Sequence, residues 1–144
     1  LTQWQSRRDG HRNSADCRVE MQRKLSRSFK SVIDSGDDFN VIYAENDDMA
    51  KGAVAALDKA NISHGVGKDV VIMGFDTNKW ALEELLAGNW NYDGQCNPYQ
   101  ASYIADVIDK LENGEEIEEK TIIMDEKGFD AETITQEDVD TYGI

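Results

Sequence analysis

Hydrophobic and polar positions alternate with two different periods along this chain, and the change between them recurs. The run Val41-Ile42-Tyr43-Ala44 is apolar and rich in β-formers, and polar residues bound it on both sides: Ser35-Gly36-Asp37-Asp38 before and Asn46-Asp47-Asp48 after. Such a run predicts a buried strand that ends in a polar turn. Met49, Ala53, Ala56, Leu57 and Ala60 then recur at helical spacing, so a helix is expected to follow at once. The same unit returns in Val70-Val71-Ile72-Met73-Gly74-Phe75, the turn Asp76-Thr77-Asn78, and a helical stripe of Trp80, Leu82, Leu85 and Leu86. Two strand-helix units in series predict a parallel sheet with flanking helices, its strands buried on both faces.

Before the first unit, Met21, Leu25, Phe29, Val32 and Ile33 predict an amphipathic helix over residues 19–34. Residues 1–13 are polar and are expected to be poorly ordered. After the second unit, residues 90–96 alternate weakly, as a third strand would, and Asn97-Pro98 breaks the run. Tyr103, Ile104, Val107, Ile108 and Leu111 form a third apolar stripe, which Asn113-Gly114 ends. Thr121-Ile122-Ile123-Met124 is a short β-prone run, and Thr135-Gln136-Glu137-Asp138 predicts a last helical turn.

Composition changes this picture in one respect. Net charge is −14 over 144 residues, which disfavours nucleic acid and anionic membranes as partners. Residues 1–30 nevertheless carry eight Lys or Arg against three Asp or Glu, while the other 114 carry seven against 26. The basic start therefore reads as foreign to the rest, as a start read out of frame would, and its basic face as a solvated helix surface. No apolar run is long enough to span a bilayer, and no basic start leading into an apolar core marks a secretion signal in this chain. Cys17 and Cys96 fit no metal or redox spacing and are expected to be free thiols.

Candidate chemistry gathers where the strands end. In open parallel sheets ligands sit beyond the carboxyl ends of the strands, where Asn46, Asp47, Asp76 and Asn78 fall. Taken alone, Asn46-Asp47-Asp48 and Asp76 are better explained as caps on the helices that follow. His64 lacks a second ligand and reads as a loop residue, and Gly65-x-Gly67 precedes a strand, so it is no dinucleotide fingerprint. No nucleophile elbow, phosphate loop, metal cluster or Ser/His/Asp arrangement supports an enzyme, and no cofactor is implied.

The segments YAENDDMAKGAVAALDKA, GKDVVIMGFDTNKWALEELLAG and QCNP, a helix ending in NGE, and ITQEDVD stand in an order that resembles the carboxyl-terminal half of type I periplasmic sugar-binding proteins, the ribose and galactose group. The resemblance runs over residues 35–144 and implies one Rossmann-like lobe of a two-lobed clamp. It implies a sugar receptor of an ABC importer, with permease subunits as partners of the full-length protein, outside the cytoplasm. In this scheme residues 98–115 belong to the other lobe, which this chain does not contain, and residues 1–34 match nothing in the family. Asn46 and Asp76 correspond to sugar-binding residues, Gln95 lies near a polar residue at the last hinge, and Asn97 or Cys96 is the alternative for that position. Asp47 and Asp48 remain caps.

Planar amide and carboxylate groups suit this task because each can engage two vicinal hydroxyls. An aromatic ring covers the sugar's C–H face, for which Trp80, Trp90 and Tyr43 are candidates, with core packing the stronger reading for Trp80 and Tyr43. The rival within the fold is the effector domain of a LacI-type regulator, which requires a DNA-binding helix-turn-helix that the basic start does not show. A truncated product without a function of its own is the third reading.

Overall fold

The computed structural model describes the backbone of residues 14–118 and 120–144, with side chains in the first helix from Lys24 onward, Leu25 excepted. The expectations for residues 1–13 and for the Cys17 thiol lie outside what is described. Among the described residues five helices and four strands follow one another: α1 (Ser14–Ser35), β1 (Val41–Tyr43), α2 (Asp47–Ala60), β2 (Val71–Phe75), α3 (Lys79–Leu86), β3 (Tyr92–Gly94), α4 (Ala101–Glu112), β4 (Gly128–Asp130) and α5 (Gln136–Tyr142). The sheet order is β1-β2-β3-β4. The first three strands are parallel, as the two repeated units require, whereas β4 closes the edge antiparallel to β3.

Ile42, Ile72, Leu57, Leu82, Leu85 and Trp90 form the centre of the core, which lies under α2 and α3. The opposite face of the sheet is open. Burial alternates along β1, with Val41 and Tyr43 at 50% and 64% exposure on either side of buried Ile42. The continuous apolar runs therefore do not mean strands buried on both faces, as the sequence suggested. On the open face Tyr43, Phe75 and Tyr92 form a row of tilted and edge-on ring contacts, with centroids 5.3 and 6.4 Å apart.

Helix α1 begins earlier than the predicted residue 19 and packs against α2, with Phe29 and Ile33 lying on the core. On its outer side Lys24, Arg27 and Lys30 are exposed, and Lys30 pairs with Asp34. By contrast, α4 buries none of its residues: Tyr103, Ile104, Ile108 and Leu111 all face outward. Tyr103, Ile104 and Ile108 line one side of a groove of about 280 Å³ that Ile122 and Met124 complete.

The β-prone run at residues 121–124 is not a strand; the fourth strand forms at Gly128–Asp130 instead. A strand needs a partner edge, and β4 already occupies the free edge of β3. Helix α5 starts at a capping box, in which Thr135 Oγ1 accepts from the Asp138 amide while the Asp138 carboxylate accepts from the Thr135 amide. The chain end then folds back: the Ile144 amide donates to Thr77 O and the Lys79 amide donates to Ile144 O, bracing the turn between β2 and α3.

Candidate functional site

The strand register fixes which turn residues can meet. Tyr43 lies opposite Met73, and Met73 opposite Tyr92, so these three form one row across the sheet. Counting three residues on from each gives Asn46, Asp76 and Gln95. Parallel strands carry equal offsets to the same edge, so three of the residues singled out in the sequence share one rim.

Each is held by its own local structure. Asn46 is the N-cap of α2, and its Oδ1 accepts from the Met49 amide at 2.8 Å. The residue-only expectation of a cap therefore holds for Asn46, while its amide NH₂ remains outside that bond. Asp76 stands at φ 119° and is followed by Thr77 at φ 57°, a pair of left-handed residues without glycine. It does not cap α3, whose N-cap is Asn78 and lacks a side-chain cap bond. Burial, and then the nearby charge of Asp48, push the Asp76 carboxyl above its usual range.

Gln95 and Asn97 are engaged by the chain around them. The Gln95 carbonyl Oε1 accepts from the Lys127 amide at 3.2 Å, and Asn97 Oδ1 accepts from the Tyr99 amide at 2.9 Å across Pro98. Cys96 is an exposed free thiol. Trp80 is half-buried on α3, where its ring meets Trp90 edge-on at 5.8 Å and carries Lys51 Nζ 4.1 Å from its centroid. Trp90 is buried at 2% exposure, so it is a core residue and presents no surface to a ligand. His64 lies in the connection between α2 and β2 but forms an isolated parallel bridge with Val70, and the ring nitrogens of its largely buried side chain meet Asn89 O and Asp58 Oδ1.

The expectation that Asp47 serves as a cap is corrected. Asp47 is fully buried, and its Oδ2 accepts from the Asn78 backbone amide at 2.8 Å and from Asn78 Nδ2 at 3.0 Å. It thus joins the end of β1 to the turn after β2. Beside it lies Asp93 of β3, equally buried and unremarked in the sequence. Asp47 Oδ1 and both Asp93 oxygens have no hydrogen-bond donor. Burial is the first cause that pushes Asp47 up to about 6 and Asp93 up to about 8, and for Asp93 the neighbouring Asp47 charge adds to it.

A signal for this pair was present in the sequence. Gly74 interrupts the apolar run of β2, and a glycine inside a strand marks close approach by another group. A Cβ on Gly74 would stand 2.6 Å from Asp47 Oδ1 and 2.7 Å from Trp90 Cζ3. Among the described residues no group of three or more His, Cys, Asp or Glu could hold a metal ion, and no helix is long and apolar enough to cross a membrane.

No family model matches the chain. Individual proteins do. The ribose import binding protein RbsB of Bacillus subtilis is 31% identical over 55% of this chain and 27% of its own length. The fructose import binding protein FruE of Bifidobacterium longum is 35% identical over 66% of the chain and 28% of its own length. The periplasmic binding protein component of an arabinose ABC transporter from Shewanella, solved with L-arabinofuranose bound, superposes with a TM-score of 0.69 at 25% identity, covering 78% of this chain and 37% of that one. The chain thus spans less than a third of the length of the two curated relatives. Sequence and fold agree in what the chain is similar to, a part of the type I periplasmic sugar-binding proteins.

Proposed function

We propose that this chain supplies one wall of a monosaccharide-binding cleft in a solute receptor of an ABC importer, acting outside the cytoplasm and without catalysis. The observation that carries this reading is the shared offset of Asn46, Asp76 and Gln95 from one register row, which gathers an amide, a carboxylate and a second amide on one rim. Asn46 Nδ2 and Gln95 Nε2 donate to sugar oxygens, and the Asp76 carboxylate accepts from a hydroxyl pair. Trp80 and Asn97 are the secondary contacts of this reading. Relatives that are sugar import binding proteins support the same reading, as do the solved complexes with bound sugars.

The domain plan fits this role. In this reading residues 35–144 belong to the lobe, with α1 packed on it through Phe29 and Ile33, and residues 98–115, with their uncovered apolar stripe, lean on the opposite lobe of a full-length receptor. One wall alone leaves a bound sugar half hydrated, so affinity for this chain is expected in the millimolar range, about −4 kcal/mol or weaker.

Amide-resolved NMR titration with a panel of pentoses and hexoses tests the proposal. Shifts concentrated at residues 45–49, 75–79 and 94–96 are expected, and lost in Asp76→Ala. Shifts elsewhere, or none at sugar concentrations of about 100 mM, overturn it.

A further inference from the structure

We propose that Asp47 and Asp93 share a single proton in the folded chain, forming a carboxyl–carboxylate latch that ties the start of α2 to β3 across Gly74 of β2. Asp93 pairs with Gly74 in the β2–β3 ladder, and Asp47 Oδ1 lies against the place where a Gly74 side chain would begin. The two carboxyls therefore converge over one glycine, each close enough to act on the other's charge, and both are out of contact with water.

If both were ionised, three of their four oxygens would be buried without a donor, an arrangement that burial penalises heavily. One proton changes this. The resulting O–H supplies the missing donor and leaves one negative charge, which the Asn78 amides partly satisfy through Asp47 Oδ2. The Thr77 amide lies near enough to ease the charged form of Asp93 but donates no formed hydrogen bond to it.

Among the described residues no cation acts on the pair. The charges that act on the pair are Asp76 at the end of β2 and, through Asp76, Asp48 in the first turn of α2. Helix α3 presents neutral Asn78, and β4 sets Phe129 opposite Asp93. Lys51 is held over Trp80, and Lys79 pairs with Asp140. A proton is the remaining neutraliser, and two like carboxyls close enough to act on each other keep one at pH values where an isolated Asp has none.

The consequence for stability has a definite sign. Both carboxyls are raised in the folded state, so folding takes up a proton. The stability this contributes is fully present below the ordinary Asp value and is lost as pH rises through about 6 to about 8. The test is urea unfolding of the full chain at a series of pH values, beside Asp93→Asn and Asp47→Asn. In the parent chain the folding equilibrium constant is expected to fall by up to about tenfold per pH unit between about 6 and about 8, where the pair holds one proton. Either carboxamide supplies a permanent donor and should flatten that slope. Infrared spectroscopy of the parent chain gives a second readout that requires neither variant to fold: a carboxylic C=O band at neutral pH that disappears on unfolding. A flat pH profile in the parent chain, or no such band, overturns the proposal.

Discussion

One oxygen of Asp47, Oδ2, accepts both amides of Asn78, the backbone N–H at 2.8 Å and the side-chain Nδ2 at 3.0 Å, and so spans the ends of β1 and β2. The turn it secures contains two residues in left-handed conformations, Asp76 and Thr77, each strained for a side chain with a Cβ. Without this tie a part-buried backbone amide loses its acceptor. Asp47→Ala is therefore expected to lower stability by about 2–3 kcal/mol, read from the urea midpoint. A change below about 0.5 kcal/mol would show that water replaces the carboxylate at no loss.

Asp76 pays for its position in backbone strain, and the sheet core gains nothing visible from its side chain. Asp76→Gly relieves the φ of 119° and is expected to stabilise the fold by about 1 kcal/mol while abolishing sugar-induced NMR shifts. Greater stability with intact binding would remove Asp76 from the site. Lower stability would show that the carboxylate holds the turn.

Asn46 serves two roles that substitutions can separate. Asn46→Ala removes the cap on α2 and is expected to lower stability by about 1 kcal/mol. Asn46→Ser keeps a capping oxygen but has no amide to offer a sugar, so near-parental stability with lost binding is expected. Equal binding by Asn46→Ser and the parent would leave Asn46 as a cap only.

At acid pH a different group governs. Lys127, and then Thr135, hold the Asp138 carboxyl down to about 2, and hydrogen bonds led by Thr133 lower Asp130 as well. A lowered carboxyl contributes stability above its ordinary value, and that contribution is lost as pH falls through the folded one. Amide protection, corrected for intrinsic exchange, should therefore fall in α5 between about pH 4 and about pH 2, and fall less at high salt, which already screens the Lys127–Asp138 pair. A uniform fall across the sheet would contradict this.

The parts of the fold legible in the sequence are those set by local pattern. The runs at 41–44 and 70–75 announce β1 and β2, the stripe at 103–111 announces α4, and Thr135 with Asp138 announces the start of α5. The parts that escaped depend on pairing at a distance. Gly128-Phe129-Asp130 has weak β character of its own and becomes a strand because β3 offers an edge, while the better β-former at 121–124 finds none. Asp93 looks like a polar residue in a doubtful strand until the β2–β3 register sets it beside Gly74, and Asp47 over the same glycine becomes its partner. Asp47 itself was misjudged because a carboxylate in the first turn of a helix satisfies the capping pattern whether or not it caps.

Trp90 shares the space above Gly74 with Asp47 Oδ1, and its indole abuts Trp80 edge-on. An indole is an optical probe whose emission responds to a proton donor beside it, so the protein carries its own fluorescent indicator of the carboxyl pair. With Trp4 changed to Phe, an emission spectrum followed against pH would track that proton in the intact fold without any label.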